Sequence, residues 1–160
     1  MNLGPRPAAS TRSQAAEVAA GLERLVVLIR WLSPPGLSLT AAATLATLER
    51  SGPCRLTALA VSEGVTQPAM TQLIGRLAGS GLVERSSDPA DGRVVHVQLT
   101  AQGRELVSSR REARARRLSG LLATLTPTDQ RALAAALPAM RALADAHQRE
   151  LDAAAGSPPH

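Results

Sequence analysis

On a helix drawn from Thr66 toward Gly81, the residues Gln67, Pro68, Thr71, Gln72, Gly75 and Arg76 fall on one side. That side is polar, short-chained and nearly free of acid, so its chemistry is hydrogen bonding to a surface rich in acceptors and negative charge. A DNA major groove is such a surface: Gln pairs bidentately with adenine, Arg with guanine, and Thr reaches bases or phosphates. A solvated helix face has the same composition, because any surface helix is polar outside. The neighbouring elements decide between the two.

Met70, Leu73, Ile74 and Leu77 stand at i, i+3, i+4 and i+7 and make a buried stripe on the other side. Thr66 caps this helix through its side-chain oxygen, Pro68 sits in the first turn where a missing donor costs nothing, and Gly81 closes it in a left-handed conformation. Just before it, TALAVSEG at residues 57–64 reads as a short helix ending in Gly. Ala60, Gly64 and Met70 then supply in order what a helix-turn-helix needs: a small residue where the helices touch, a turn residue able to take positive φ, and an apolar anchor. After Gly81, Leu82-Val83-Glu84-Arg85 and the alternating run at residues 94–99 are β-prone and joined by DPADGR, which contains an Asp-Gly turn. A hairpin directly after a recognition helix is a wing.

Composition narrows the partner. The chain has 160 residues with a net charge of +5, no lysine, and aromatics at 1%. One domain is the simplest organisation at this length, large enough for a core without metal or disulfide support. Aliphatic residues without aromatics favour helices over a sandwich or barrel. An all-Arg basic set suits bidentate contacts to phosphate and guanine. Poverty in aromatics disfavours stacking on single strands and leaves double-stranded DNA as the expected partner. Apolar runs are too short for a membrane span, and the N-terminal stretch has no apolar core of a secretory signal, so a cytoplasmic location is expected.

The remaining segments frame this unit. Residues 1–11 read as a disordered arm. A helical pattern runs from Arg12 to Leu32 with Val18, Leu22, Leu25, Val26 and Ile29 on one side, until Pro34-Pro35 stops it. Ser38 caps a second helix reaching about Arg50, and a brief strand at residues 54–56 follows. Thr100 caps a long helix carrying Arg104, Arg110, Arg111, Arg114, Arg116 and Arg117, which reads mostly as a solvated face. The last helix, from Thr128 to about Leu151, spaces Leu133, Leu137, Met140, Ala144, His147 and Leu151 by fours and threes, as a coiled-coil seam does. Pro138 lies inside it and is expected to kink or split it. Residues 156–160 read as a disordered tail. Apolar seams on terminal helices are most economically buried against a second copy, as a homodimer.

Other chemistry finds no footing in the residues. Cys54 is alone, and Arg55 beside it is only a faint argument for reactivity. His96, His147 and His160 lack metal-ligand spacing, so no metal and no cofactor are expected. No Ser, His and acid constellation, phosphate-binding Gly loop or paired carboxylates can be identified, which points away from an enzyme and leaves no catalytic residues to name.

Over residues 12–151 the chain resembles the MarR family of winged helix-turn-helix transcriptional regulators. The resemblance rests on DPADGRVVHVQLT at residues 88–100, which is similar to the family's wing signature, and on Gly64-Val65-Thr66 and Gly81-Leu82-Val83 around the recognition helix. It implies a mainly α fold with a small β-hairpin wing. The winged helix-turn-helix core would occupy residues 36–99 and the N- and C-terminal dimerisation helices residues 12–33 and 100–152, within a single domain of 12–155. It also implies a homodimeric repressor on a palindromic operator. Thr66, Gln67, Pro68, Thr71, Gln72 and Arg76 would then read the major groove, while Arg93 enters the minor groove with its guanidinium oriented by Asp91. A narrow minor groove concentrates negative potential and attracts Arg. A small, partly apolar or anionic effector near Arg30 and Trp31 would release the DNA. One departure is Gln72, which stands where many relatives carry Arg and leaves the preferred bases open. The alternative is a winged-helix module that binds protein without DNA readout; Arg76 and Arg93 speak for DNA.

Overall fold

The computed structural model of the chain describes residues 9–87 and 95–155. It falls into two compact units, Met1–Pro35 and Gly36–His160. The described part of the first is one helix, α1 (Ala9–Leu32). It begins inside the segment read as an arm: Ala9, Ser10 and Thr11 are helical, because no breaker separates them from Arg12. Val18, Leu22, Leu25, Val26 and Ile29 are all exposed.

The second unit runs α2 (Leu39–Ser51), β1 (Cys54–Arg55), α3 (Leu56–Ser62), α4 (Gln67–Gly79), β2 (Val83–Ser87), β3 (Val95–Leu99), α5 (Ala101–Leu122) and α6 (Pro127–Ala155). The strands form one antiparallel sheet in the order β1-β3-β2. Val83 pairs with Leu99 and Arg85 with Val97 along the hairpin. The short β1 adds a third strand by pairing Cys54 with Val97 and Arg55 with His96. The mainly helical fold with a small wing sheet is the architecture the sequence implied.

Local chemistry explains where the elements start and stop. The Ser38 hydroxyl accepts the Ala41 N–H at 3.1 Å and opens α2. The Thr66 hydroxyl accepts from Ala69 at 3.4 Å and opens α4, and Thr100 accepts from Gly103 at 3.0 Å to open α5. Each cap satisfies a backbone donor that has no partner within the helix. α4 ends where Gly81 takes φ +71 and the Leu82 N–H returns to the Leu77 carbonyl at 3.0 Å. That backward bond needs a left-handed residue, which glycine supplies without a Cβ penalty.

The core lies where α2, α3, α4 and the sheet meet. Leu45, Leu48, Leu59, Ala60, Met70, Ile74, Leu77, Val83, Val97 and Leu99 are all buried in one cluster, joined by Val107 of α5. All four residues of the expected α4 stripe are buried. Burying each large aliphatic side chain contributes about 1.5–3 kcal/mol, so α4 is held by its inner face and presents its outer face as a rigid surface. α5 is set against the base of the wing with no side chain between them. A Cβ added at Gly103 would lie 2.0 Å from the Leu82 carbonyl oxygen.

Of the two outcomes expected at Pro138, a kink or a split, the split is overturned: α6 is one helix of 29 residues with Pro138 inside it, since the long flanking segments keep their own ladders and one missing donor costs less than losing half a helix. The arginines of α5 are mostly solvated, as expected: Arg104, Arg111, Arg114, Arg116 and Arg117 are exposed, and Arg110 is the exception. Arg110 is buried, because 103, 107, 110 and 114 share the helix side that faces α2, and the first two of these are Gly103 and Val107.

Candidate nucleic-acid interface

The cap at Thr66 fixes the first turn of α4, and the buried stripe fixes its rotation. Together they turn Gln67, Pro68, Thr71, Gln72, Gly75 and Arg76 outward, and all six are exposed along with Thr66. The Thr71 hydroxyl donates to the Gln67 carbonyl at 2.9 Å, which holds its oxygen lone pairs and methyl group in a defined direction. Gln72 and Arg76 stand one turn apart on this face. Both are long side chains with planar, bidentate ends, suited to base edges.

Among the described residues, Glu63 and Glu84 are engaged elsewhere. Glu63, in the turn between α3 and α4, accepts a hydrogen bond from the Thr47 hydroxyl of α2 at 2.9 Å. Arg50 donates to the same hydroxyl at 3.4 Å. Glu84 of β2 accepts from the Gln98 side chain at 2.7 Å across the hairpin. The turn of the helix-turn-helix is therefore tethered to α2, and the exposed charge left on the face of α4 is Arg76. Asp91 and Arg93, the expected wing-tip pair, lie outside the described residues.

A second arrangement in the same unit was not foreseen. Between α2 and α5 lies a cleft of about 110 Å³. Leu37, Ala42, Leu45, Ala46 and Val107 line its apolar side, and Arg110, Arg111 and Arg114 its basic side. Desolvation pushes the Arg110 guanidinium below its usual pKa, and repulsion from Arg114 adds to the shift. Arg111 is held by an ion pair to Glu49 of α2. An anion with a small apolar body meets complementary chemistry here: it relieves repulsion among crowded guanidinium groups and covers carbon surface. The sequence did carry the signal, since Val107, Arg110 and Arg114 follow one another by three and four on a helix whose inward stripe starts at Gly103.

Arg30 and Trp31, the expected effector residues, lie in the last turn of α1, both exposed. The cleft within the second unit is built from other residues. Another groove of the second unit is lined by Thr47, Arg50, Cys54, Ser62 and Gln148, among others. Burial pushes the Cys54 thiol above its ordinary pKa, opposite to what a reactive thiolate requires. Among the described residues there is no group of three or more His, Cys, Asp or Glu able to hold a metal ion. Nor is any described helix long and apolar enough to cross a membrane.

Comparison with known proteins fits this geometry. A model of the MarR family matches residues 37–95, from the start of α2 to the wing. An uncharacterised HTH-type transcriptional regulator of Mycobacterium bovis is 37% identical over 132 residues, covering 82% of this chain and 92% of that protein. Among solved structures, RV1404 of Mycobacterium tuberculosis superposes with a TM-score of 0.63 at 25% identity, covering 88% of this chain and 97% of that one. BpsR of Bordetella bronchiseptica, whose DNA binding is regulated by 6-hydroxynicotinic acid, superposes with a TM-score of 0.59 at 25% identity, covering 81% and 98%.

Proposed function

Because this chain belongs to the MarR family of winged helix-turn-helix transcriptional regulators, we propose that it is a homodimeric repressor of a palindromic operator, released by a small anionic effector. The observation that carries the DNA reading is the outer face of α4, where Thr66, Gln67, Pro68, Thr71, Gln72 and Arg76 are exposed together over a fully buried stripe. In this reading Gln72 and Arg76 contact base edges, Thr66 and Thr71 contact bases or phosphates, and Pro68 packs against the groove wall. Arg93, oriented by Asp91, takes the minor groove beside it.

The effector reading is supported by the cleft between α2 and α5. Its mix of aliphatic carbon and three arginines suits a small carboxylate with a ring, the class of molecule to which BpsR responds. Arg111 is paired to Glu49 across the two helices, so an anion that takes Arg111 loosens α5 from α2. α2 also holds the turn of the helix-turn-helix through Thr47 and Glu63. Loosening α2 disturbs the aim of α4, and a dimer needs both recognition helices in register about 34–36 Å apart. Arg30 and Trp31 are a separate candidate effector position.

The test is a gel shift with the chain's own upstream region, titrated with aromatic carboxylates. Retardation that a carboxylate reverses, and that Arg110→Gln makes insensitive, is the expected result. Release that survives Arg110→Gln but quenches Trp31 fluorescence would move the effector to Arg30 and Trp31. A chain that retards neither its upstream region nor any other duplex would overturn the DNA reading.

A further inference from the structure

The core-facing side of β2 carries one residue out of character. Alternation puts Val83 and Arg85 on the same face of that strand, and their partners across the hairpin are Leu99 and Val97. Val83, Val97 and Leu99 are buried. Arg85, facing the same way, is exposed. β2 is an edge strand of the sheet, and what Arg85 meets is the flank of α4. Its Nη2 donates to the Thr71 carbonyl at 3.2 Å. The same nitrogen lies 3.6 Å from the position a Cβ would take on Gly75, so the guanidinium rests along the helix between Thr71 and Gly75. Both are residues of the outward face.

We propose that Arg85 is a DNA-contacting residue that binds a backbone phosphate at the edge of the groove entered by α4, while its bond to Thr71 fixes the helix against the wing. The inference rests on the DNA reading given above. A guanidinium carries more N–H donors than one carbonyl can take, and a phosphate is its preferred second partner because the two match bidentately. The bond to Thr71 reduces the freedom that a long side chain otherwise loses on binding. Gly75 leaves the guanidinium room on this flank, since even a Cβ there would sit at ordinary contact distance from it, 3.6 Å. Arg85 also gives the α4 flank a second cation beside Arg76.

The experiment uses the full chain on its upstream DNA and on an unrelated duplex, with affinity measured by fluorescence anisotropy across a range of salt. For Arg85→Gln the expected result is several-fold weaker binding to both duplexes. The slope of log K against log salt should become shallower by about 0.9 for each Arg85 engaged, hence about 1.8 for a dimer on two half-sites. Arg85→Lys, which keeps the charge, should restore the slope. An unchanged slope in Arg85→Gln, whatever its affinity, assigns Arg85 to structure alone and overturns the phosphate contact. So does a slope in Arg85→Lys as shallow as that of the Gln variant. Thermal melting of each variant separates loss of fold from loss of contact. Wild-type chain that binds neither duplex overturns the DNA reading and this inference together, whereas wild type that binds beside an unaltered Arg85→Gln overturns this inference alone.

Discussion

Cys54 shows how one residue's surroundings decide its chemistry. It is half-buried at the start of β1, its thiol lies 3.3 Å from the Gly52 carbonyl, and burial raises its pKa. A thiol whose folded pKa lies above its unfolded one stabilises the fold at and below the ordinary thiol range. That stability is lost as pH rises through the raised value. At neutral pH the folded chain should therefore react with iodoacetamide more slowly than the same chain in urea, with the gap closing only at alkaline pH. Mass spectrometry of timed aliquots measures it; equal rates at neutral pH would show a thiol more accessible and more ionised than this geometry allows. The sequence identified Cys54 as solitary but held nothing about its burial, because that depends on a groove assembled from α2, α3 and α6. Arg85 escaped for a related reason. An Arg in an exposed-looking strand reads as solvated until the register pairs it with Val97.

At the scale of elements, α4 was the most legible part of the chain. Its cap, proline, apolar stripe and closing glycine are local signals that agree with one another, and agreement across levels is what makes a segment predictable. Gln72→Ala should therefore relax base preference while leaving affinity for unrelated duplex almost unchanged. Each good base contact contributes about 1–3 kcal/mol of discrimination. Selection of preferred sites from a random pool by the wild type and the variant is the measurement, and identical preferred sequences would show that Gln72 does not face the bases. α5 was read correctly for all its arginines but one. Counting them suggested a mostly solvated helix, whereas phasing them against Gly103 and Val107 is what singles out Arg110 as buried. Composition averages over a helix; packing depends on its rotation. In α6 the proline does not split the helix, since a long helix tolerates one missing donor when its flanks are well formed.

For the whole molecule, the terminal helices each carry a row of exposed apolar side chains. Leu133, Leu137, Met140 and Leu143 of α6 are 43–57% exposed, and Val18, Leu22, Val26 and Ile29 of α1 are 43–50% exposed. Isolated exposed Leu residues are common, but a row at helical spacing has the form of an interface. Sedimentation at micromolar concentration should give about twice the chain mass of 16.6 kDa, and Leu137→Glu with Met140→Glu should give a folded monomer. A wild-type monomer would overturn the dimer, and a double variant that still dimerises would place the interface elsewhere. The join between α5 and the wing has a different consequence, visible in genetics. Where two side chains press together, a second mutation that trims one can rescue a first that enlarges the other. At Gly103 the obstacle is the Leu82 carbonyl, an atom that every amino acid carries. A Gly103→Ala allele should cost about 1–3 kcal/mol as overpacking does, and a selection for suppressors should return reversion at codon 103 or distant stabilising changes. Substitutions at codon 82 should be missing from it.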